Sequence, residues 1–103
     1  MNIVCLQVFA SQSSRHHGKL IYEWLLDTAQ HLGICGGSAF LAIAGFGRHG
    51  RHDASFFELA GDVPVVVEFF VEPAIADRLL QEIGAAGLKL VYTRMPAEIG
   101  ITG

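Results

Sequence analysis

The sequence is short of charged residues and of cysteine. Charged residues make up 17% of the 103 residues, against about 25% in globular domains, and the formal net charge is -3. Because phosphate binding needs a clustered basic face, this balance predicts no nucleic-acid partner. The two cysteines, Cys5 and Cys35, form no CxxC pair. We expect both to be reduced and packed as small apolar residues.

Long apolar runs are also missing. The longest uncharged run, Leu32 to Gly47, is shorter than the roughly 20 residues that cross a bilayer. The apolar amino-terminal stretch lacks the basic residues that open a secretory signal. These absences predict that no segment spans a membrane and that the protein is cytoplasmic.

What the sequence has in excess is apolar residues, at 51% of the chain. Its length fits a single domain over residues 1–103, and a monomer of this size hides only about 60 to 65% of its unfolded surface. The core of one subunit is therefore too small for the apolar residues present. This excess predicts an oligomer.

Periodicity predicts four strands and two helices in the order βαββαβ. Residues 2–9 alternate as a strand does, and an apolar stripe from Leu20 to Leu32 predicts a helix that ends at Gly33. Pro73 begins a second helix that ends at Gly84 and Gly87. The remaining predictions are a buried second strand at 37–46, a third at 64–71, a fourth at 88–94 and an extended tail at 95–103.

This order matches the ferredoxin-like motif, an α+β fold with a four-stranded antiparallel sheet and both helices on one face. The other face holds Val66, Phe70 and Leu6, or else the residues that alternate with them, and we expect a partner subunit to cover it. Glu68 is a lone carboxylate between Val66 and Phe70. Two interpretations of it stay open: a polar network at a subunit interface, or a ligand-binding or catalytic group.

The segment "IAGFGRHGRHDAS" at 43–55 combines glycines with cations. Gly45, Gly47 and Gly50 would let backbone amides approach an anion, and Arg48 and Arg51 could pair with its oxygens. The predicted topology brings this segment to the same sheet end as residues 10–17, where Lys19 could reach the same anion. The competing interpretation is that the glycines only permit a turn and the cations are solvated.

Histidines are concentrated in the same two segments. His16, His17, His49 and His52 are candidate ligands for a divalent metal, with His49 and His52 three residues apart. The alternative is that they are simply exposed side chains. No serine lies in a nucleophile motif, so we predict that the protein is not an enzyme. A site between subunits built from Arg48, His49 and Glu68 remains the alternative.

Several motifs occur in the order found in one known family. "GFGRHG" at 45–50, followed by a loop and "VPVVVEFFVE", resembles the nitrogen-regulatory P-II signalling proteins. The chain is more similar to a shorter P-II-like branch that is classed as a domain of unknown function. In that branch a GK and YE pattern opens the first helix, as Gly18, Lys19, Tyr22 and Glu23 do here. The resemblance covers about residues 2–94.

The resemblance implies a homotrimer with its sheets facing inward and with ligand clefts between subunits. It implies that the cleft is lined by Gly45, Phe46, Gly47, Arg48 and His49, and that residues 48–62 form a flexible signalling loop for a protein partner. An adenine nucleotide is one implied ligand. P-II proteins carry a lysine-bearing phosphate loop where this chain has "GAAGLK" at 84–89, and phenylalanines replace their modified tyrosine, so we expect no uridylylation.

Together these observations predict a trimeric sensor that binds a small anionic ligand. The predicted ligand-binding residues are Gly45, Phe46, Gly47, Arg48, His49, Gly50, Arg51 and Lys19. Two alternatives stay open, a metal-binding or metal-responsive trimer and a small enzyme with a site between subunits.

Overall fold

The computed structural model describes residues 2–47, 50–53 and 63–103. Four strands of the described chain form one sheet in the order β4–β7–β1–β8, and every neighbouring pair is antiparallel. Two further ribbons pair β2 with β3 and β5 with β6. In chain order the elements are β1 (Ile3–Ser11), β2 (Arg15–His16), β3 (Lys19–Leu20), α1 (Ile21–His31), β4 (Ser38–Leu41), β5 (Ala44–Gly47), β6 (Gly50–Asp53), β7 (Pro64–Val71), α2 (Pro73–Ala85) and β8 (Tyr92–Ala97).

The core lies between the two helices and one face of the sheet. Alternation along β1 and β7 sends every second side chain to this face, and both helices carry one apolar stripe. The ferredoxin-like prediction is therefore confirmed. The buried side chains of this core are Leu6, Val8, Val65, Val67, Phe69 and Val71 from the sheet, Ile21, Leu25, Ala29, Ala76, Leu79 and Ile83 from the helices, and Ile34 from the loop after α1. Leu6 thus faces the helices, and its neighbours Cys5 and Gln7 face the other side, which we call the helix-free face.

Helix α1 ends at a glycine, as the sequence predicts. Gly33 has φ 83, a left-handed conformation that costs other residues roughly 1–2 kcal/mol. Its amide donates to the carbonyl of Gln30, and the amide of Ile34 donates to Ala29. These two bonds form a Schellman motif, which satisfies carbonyls that the helix end would leave unpaired.

The second strand differs from the prediction of one buried strand at 37–46. The chain forms β4 at the sheet edge, leaves it after Leu41 and continues in the separate ribbon strand β5. All four residues of β4 are exposed. The physical reason is that an edge strand has a neighbour on one side only, so an apolar sequence there does not imply burial within one subunit.

The fourth strand lies later in the chain than predicted. It begins at Tyr92 and continues to Ala97, which includes three residues assigned to the tail. The register explains this, because Ala97 pairs with Ile3 at the start of β1. Pro96 is tolerated because β8 is the other edge of the sheet.

The two cysteines have different environments, and the prediction that both are packed is wrong for one of them. Both are free thiols. Cys5 is buried at 8% exposure, whereas Cys35 is exposed in the loop between α1 and β4. Connecting loops run over the surface, so the apolar character of a thiol there does not bring it inside. No helix in the described part of the chain is long and apolar enough to cross a membrane.

Candidate ligand site at the ribbon end of the sheet

One end of the sheet carries both ribbons, and we call it the ribbon end. Strands β1 and β4 finish there, with Ser11 opposite Pro64 and Leu41 opposite Val65. The amide of Ala42 donates to the carbonyl of Pro64 over 2.9 Å. This bond continues the pairing for one residue before the chain leaves the sheet and enters β5.

The glycine motif lies on the ribbon of β5 and β6. Gly45 pairs with His52, Phe46 with Arg51, and Gly47 with Gly50. The space beside Gly45 is open, since an added Cβ would meet no atom within 4 Å. Phe46 is 83% exposed, so its ring is available for contact with a ligand or another subunit.

Part of the predicted site lies outside the described residues. This applies to Arg48, His49 and the segment 54–62. The predicted signalling loop at 48–62 includes Gly50–Asp53, which form β6.

The short hairpin of β2 and β3 follows directly after β1. The guanidinium of Arg15 donates to the carbonyl of Gly18 over 2.7 Å and so closes the hairpin. The ammonium of Lys19 forms an ion pair with the carboxylate of Asp27 in α1, and both side chains are about half exposed. An anion at this position would compete with Asp27 for the ammonium of Lys19.

The histidines of this hairpin pack against rings. The rings of His16 and His17 meet edge to face at 4.2 Å, and the ring of His16 lies 5.6 Å from that of Trp24. In the described part of the chain no group of three or more His, Cys, Asp or Glu side chains could hold a metal ion. His49 lies outside the described residues. His52 pairs with Gly45 in the ribbon of β5 and β6.

A cavity of about 200 Å³ opens at the ribbon end. Ligand pockets that enclose a small molecule measure about 300–1,000 Å³, so this cavity can hold only part of one. The residues that line the cavity come from the segment after β1, from α1 and from two strands, so no sequence motif joins them and the sequence alone does not indicate them. The cavity is lined by Gln12, Tyr22, Ala39, Leu41 and Val65.

The turn at 84–89 is a helix end. Gly87 has φ 77, its amide donates to the carbonyl of Gly84, and the amide of Leu88 donates to Ile83. Like the end of α1, this end of α2 is a Schellman motif. Two amides that a phosphate loop would offer to an anion are thus already bonded.

Glu68 lies away from the ribbon end. It is four residues along β7 from Pro64, which is roughly 13 Å at about 3.3 Å per residue. Its carboxylate Oε2 accepts a 2.9 Å hydrogen bond from Nε2 of Gln7. Burial raises the pKa of the Cys5 thiol, and the charge of Glu68 raises that pKa further. These contacts favour the polar-network interpretation of Glu68.

Comparison with known sequences finds relatives over most of the chain. The family model DUF190, described as "Uncharacterized ACR", matches residues 3–99. A UPF0166 protein of Aquifex aeolicus is 37% identical over 79 residues, which are 76% of this chain and 75% of that protein. A UPF0166 protein of Methanocaldococcus jannaschii is 25% identical over 63 residues, 61% of this chain and 58% of that protein.

Comparison with solved structures finds similar folds. CPII of Thiomonas intermedia, a nitrogen regulatory PII-like protein solved with ADP, AMP and bicarbonate, superimposes with a TM-score of 0.66. That match covers 97% of each chain at 15% identity. A structure of CPII with ADP and bicarbonate gives a TM-score of 0.63 at 18% identity, over 98% of this chain and 91% of that one. At such identities the likeness concerns the fold alone.

Proposed function

Because the chain belongs to the DUF190 family and has a PII-like fold, we propose that it is a regulator that binds a small anionic ligand. The proposed ligand is an adenine nucleotide, held in clefts between the subunits of a homotrimer. The segment 48–62 reports the bound state to a protein partner. The observation that carries the proposal is that 97% of the chain superimposes on CPII, whose structure contains ADP, AMP and bicarbonate.

The ribbon of β5 and β6 supports the position of the ligand. Gly45 is unobstructed, and Gly47 and Gly50 face each other across the ribbon, so backbone can approach an anion closely there. Arg48 follows directly after Gly47. Because the amides at the end of α2 are already bonded, we assign Arg48 the main charge that holds the ligand.

Two observations support a site between subunits. The cavity at the ribbon end is smaller than a small-molecule pocket. Phe46 lies on a ribbon outside the four-stranded sheet and is exposed. A second subunit would supply the missing wall. The proposed trimer places the helix-free faces inward, which covers apolar side chains that one subunit leaves exposed.

The test is calorimetric titration of wild type with ATP, ADP, AMP and bicarbonate. A charge-assisted contact is worth roughly 1.5–3 kcal/mol, so Arg48→Ala should weaken nucleotide binding about ten- to a hundredfold and leave the oligomer intact. Arg78→Ala is the matched control, since Arg78 is exposed on α2. Absence of nucleotide binding to wild type, or equal binding by Arg48→Ala, would overturn the proposal.

The same titration separates the metal-binding alternative. Binding by a partly exposed arginine weakens as salt rises, whereas binding by histidines on a metal responds to pH and chelator. Adding Zn²⁺ or Mn²⁺ with and without EDTA distinguishes the two. Hydrogen exchange with and without nucleotide then tests the reporting segment, for which we expect ligand-dependent protection within residues 48–62.

A further inference from the structure

Each strand of the sheet places one polar side chain on a single line across the helix-free face. The register sets Ser38 opposite Glu68, Glu68 opposite Gln7, and Gln7 opposite Thr93. We call these four residues the polar row. It crosses β4, β7, β1 and β8, the full width of the sheet.

Hydrogen bonds join three residues of the row and run in one direction, from Thr93 through Gln7 to Glu68. Oγ1 of Thr93 donates to Oε1 of Gln7 over 3.1 Å, and Nε2 of Gln7 donates to Oε2 of Glu68 over 2.9 Å. A carboxylate only accepts hydrogen bonds, so the amide of Gln7 must turn its nitrogen toward Glu68. The row therefore presents defined donor and acceptor positions to whatever covers this face.

The surroundings of the row are apolar. Phe40 is 53% exposed, Phe70 48% and Met95 45%, and Glu68 is the one charged side chain of this face among the described residues of the four strands. The alternation that sends Leu6 and Val67 to the core sends the apolar side chains between them in the strands to the helix-free face. They are Ile3, Cys5, Phe9, Phe40, Val66, Phe70, Met95 and Ala97.

The size and chemistry of the face fit another copy of this chain. Four strands about 4.8 Å apart and six residues long at about 3.4 Å each cover roughly 400 Å², as large as the biggest apolar patches of monomers, about 300–600 Å². The row supplies both kinds of group that a facing row needs, because the Gln7 amide has a second N–H and the Glu68 carboxylate has a second oxygen. In a ring of identical subunits each copy meets its two neighbours through different parts of its surface, so every copy must carry both donors and acceptors, as this face does.

We propose that the polar row fixes the alignment in which copies of this chain pack through their helix-free faces. The inference rests on the assembly described under the proposed function and deepens it. Apolar surfaces alone can slide over one another, whereas a buried carboxylate and amide find partners in one alignment only. A buried polar group that selects the register and number of subunits at some cost in stability is known from coiled coils.

The test compares three variants by native mass spectrometry and light scattering. Replacing the row with apolar residues, Gln7→Leu, Glu68→Leu and Thr93→Val together, should keep self-association but give more than one subunit number. Glu68→Gln keeps a side chain that can pair with Gln7, so a single subunit number should remain. Gln7→Leu removes the amide that pairs with Glu68, so the dissociation constant should rise at least tenfold.

Glu82→Gln and Gln81→Leu are the matched controls, because both positions are exposed on α2 and the chemical changes are the same. Neither should alter the subunit number. Circular dichroism melting checks that each variant folds. Should the triple variant fail to fold, Gln7→Leu and Glu68→Gln still decide the question.

Phe70→Asp tests the face itself and should dissociate the assembly, because it buries an unpaired charge. An unchanged assembly in Phe70→Asp, a monomeric wild type at micromolar concentration, or one unchanged subunit number in the triple variant would each overturn the inference. Failure of the proposed function looks different. Wild type would then bind no nucleotide while its subunit number still responded to the row variants.

Discussion

At the scale of single residues, Gly37 shows how closely the loop before β4 approaches the core. A Cβ added there would lie 2.6 Å from Cδ1 of Phe69 and 3.3 Å from Cδ2 of Leu26, and Phe69 is 1% exposed. We expect Gly37→Ala to lower the free energy of unfolding by about 1–3 kcal/mol, the usual cost of overpacking. Urea denaturation measures it.

Gly36→Ala is the control for this prediction, because an added Cβ at Gly36 meets nothing within 4 Å. Its effect should stay within about 0.5 kcal/mol. Equal losses from the two variants would mean that the close contact with Phe69 is not the cause.

The two thiols provide a second prediction at this scale. Burial, followed by the charge of Glu68, raises the pKa of Cys5, and the thiolate is the reactive form. A thiol reagent at pH 8 should therefore label Cys35 at least ten times faster than Cys5. The single-cysteine variants Cys5→Ser and Cys35→Ser assign each rate, and similar rates in the two folded variants would contradict the prediction.

The same raised pKa affects stability at alkaline pH. The folded state holds the Cys5 proton more tightly than the unfolded state, so stability is lost as pH rises from the ordinary thiol pKa of about 8.5 through the folded value. Cys5→Ala should lessen this loss. Urea denaturation at pH 8 and pH 10 measures the free energy of unfolding of both proteins. An equal loss between the two pH values in wild type and Cys5→Ala would count against a raised pKa of Cys5.

At the scale of elements, both helices end in the same motif. Gly33 and Gly87 have positive φ and open space around them, so substitution strains the backbone alone. Gly33→Ala and Gly87→Ala should each lower the free energy of unfolding by about 1–2 kcal/mol. Asparagine, which tolerates this conformation better, should cost less.

Gly84→Ala is the control at this scale, because Gly84 is helical within α2 and also has open space. Alanine favours a helix over glycine by about 1 kcal/mol, so this variant should be neutral or more stable. A loss at Gly84 equal to that at Gly87 would argue against the left-handed conformation as the cause. Thermal and urea unfolding measure all three variants.

At the scale of the whole molecule, stability should depend on protein concentration. If copies associate through the helix-free face, unfolding is linked to dissociation by mass action. We expect the melting temperature of wild type to rise by several degrees over a hundredfold increase in concentration, since about 1 kcal/mol shifts a domain of this size by roughly 4–8 °C. Differential scanning fluorimetry of wild type and Phe70→Asp checks this, and a constant wild-type value would contradict it.

Local patterns in the sequence determined the two helices of the described chain, the four strands of the main sheet and their order, although not the limits of β4 and β8. These patterns act between residues that are close in the chain. They are the alternation in residues 2–9, the apolar stripes of both helices, Pro73 at the start of α2 and the glycines after each helix. Their physical causes are strand pleating, helix periodicity and backbone sterics, which need no distant partner. The fold class, and with it the end of the sheet that carries the glycine motif, followed from this order.

Partners distant in the chain were decided by the tertiary structure alone. Gln7 meets Glu68 across 61 residues and Thr93 across 86, and no local period encodes such pairs. The tertiary structure also decided that Lys19 of β3 pairs with Asp27 of α1. It placed β4, part of the segment predicted to be buried, at the edge of the sheet. The reason is that sequence periodicity indicates which side chains lie on the same face of a strand or helix. Which residue of another strand lies opposite a given side chain depends on strand order and register, which are set by the tertiary structure.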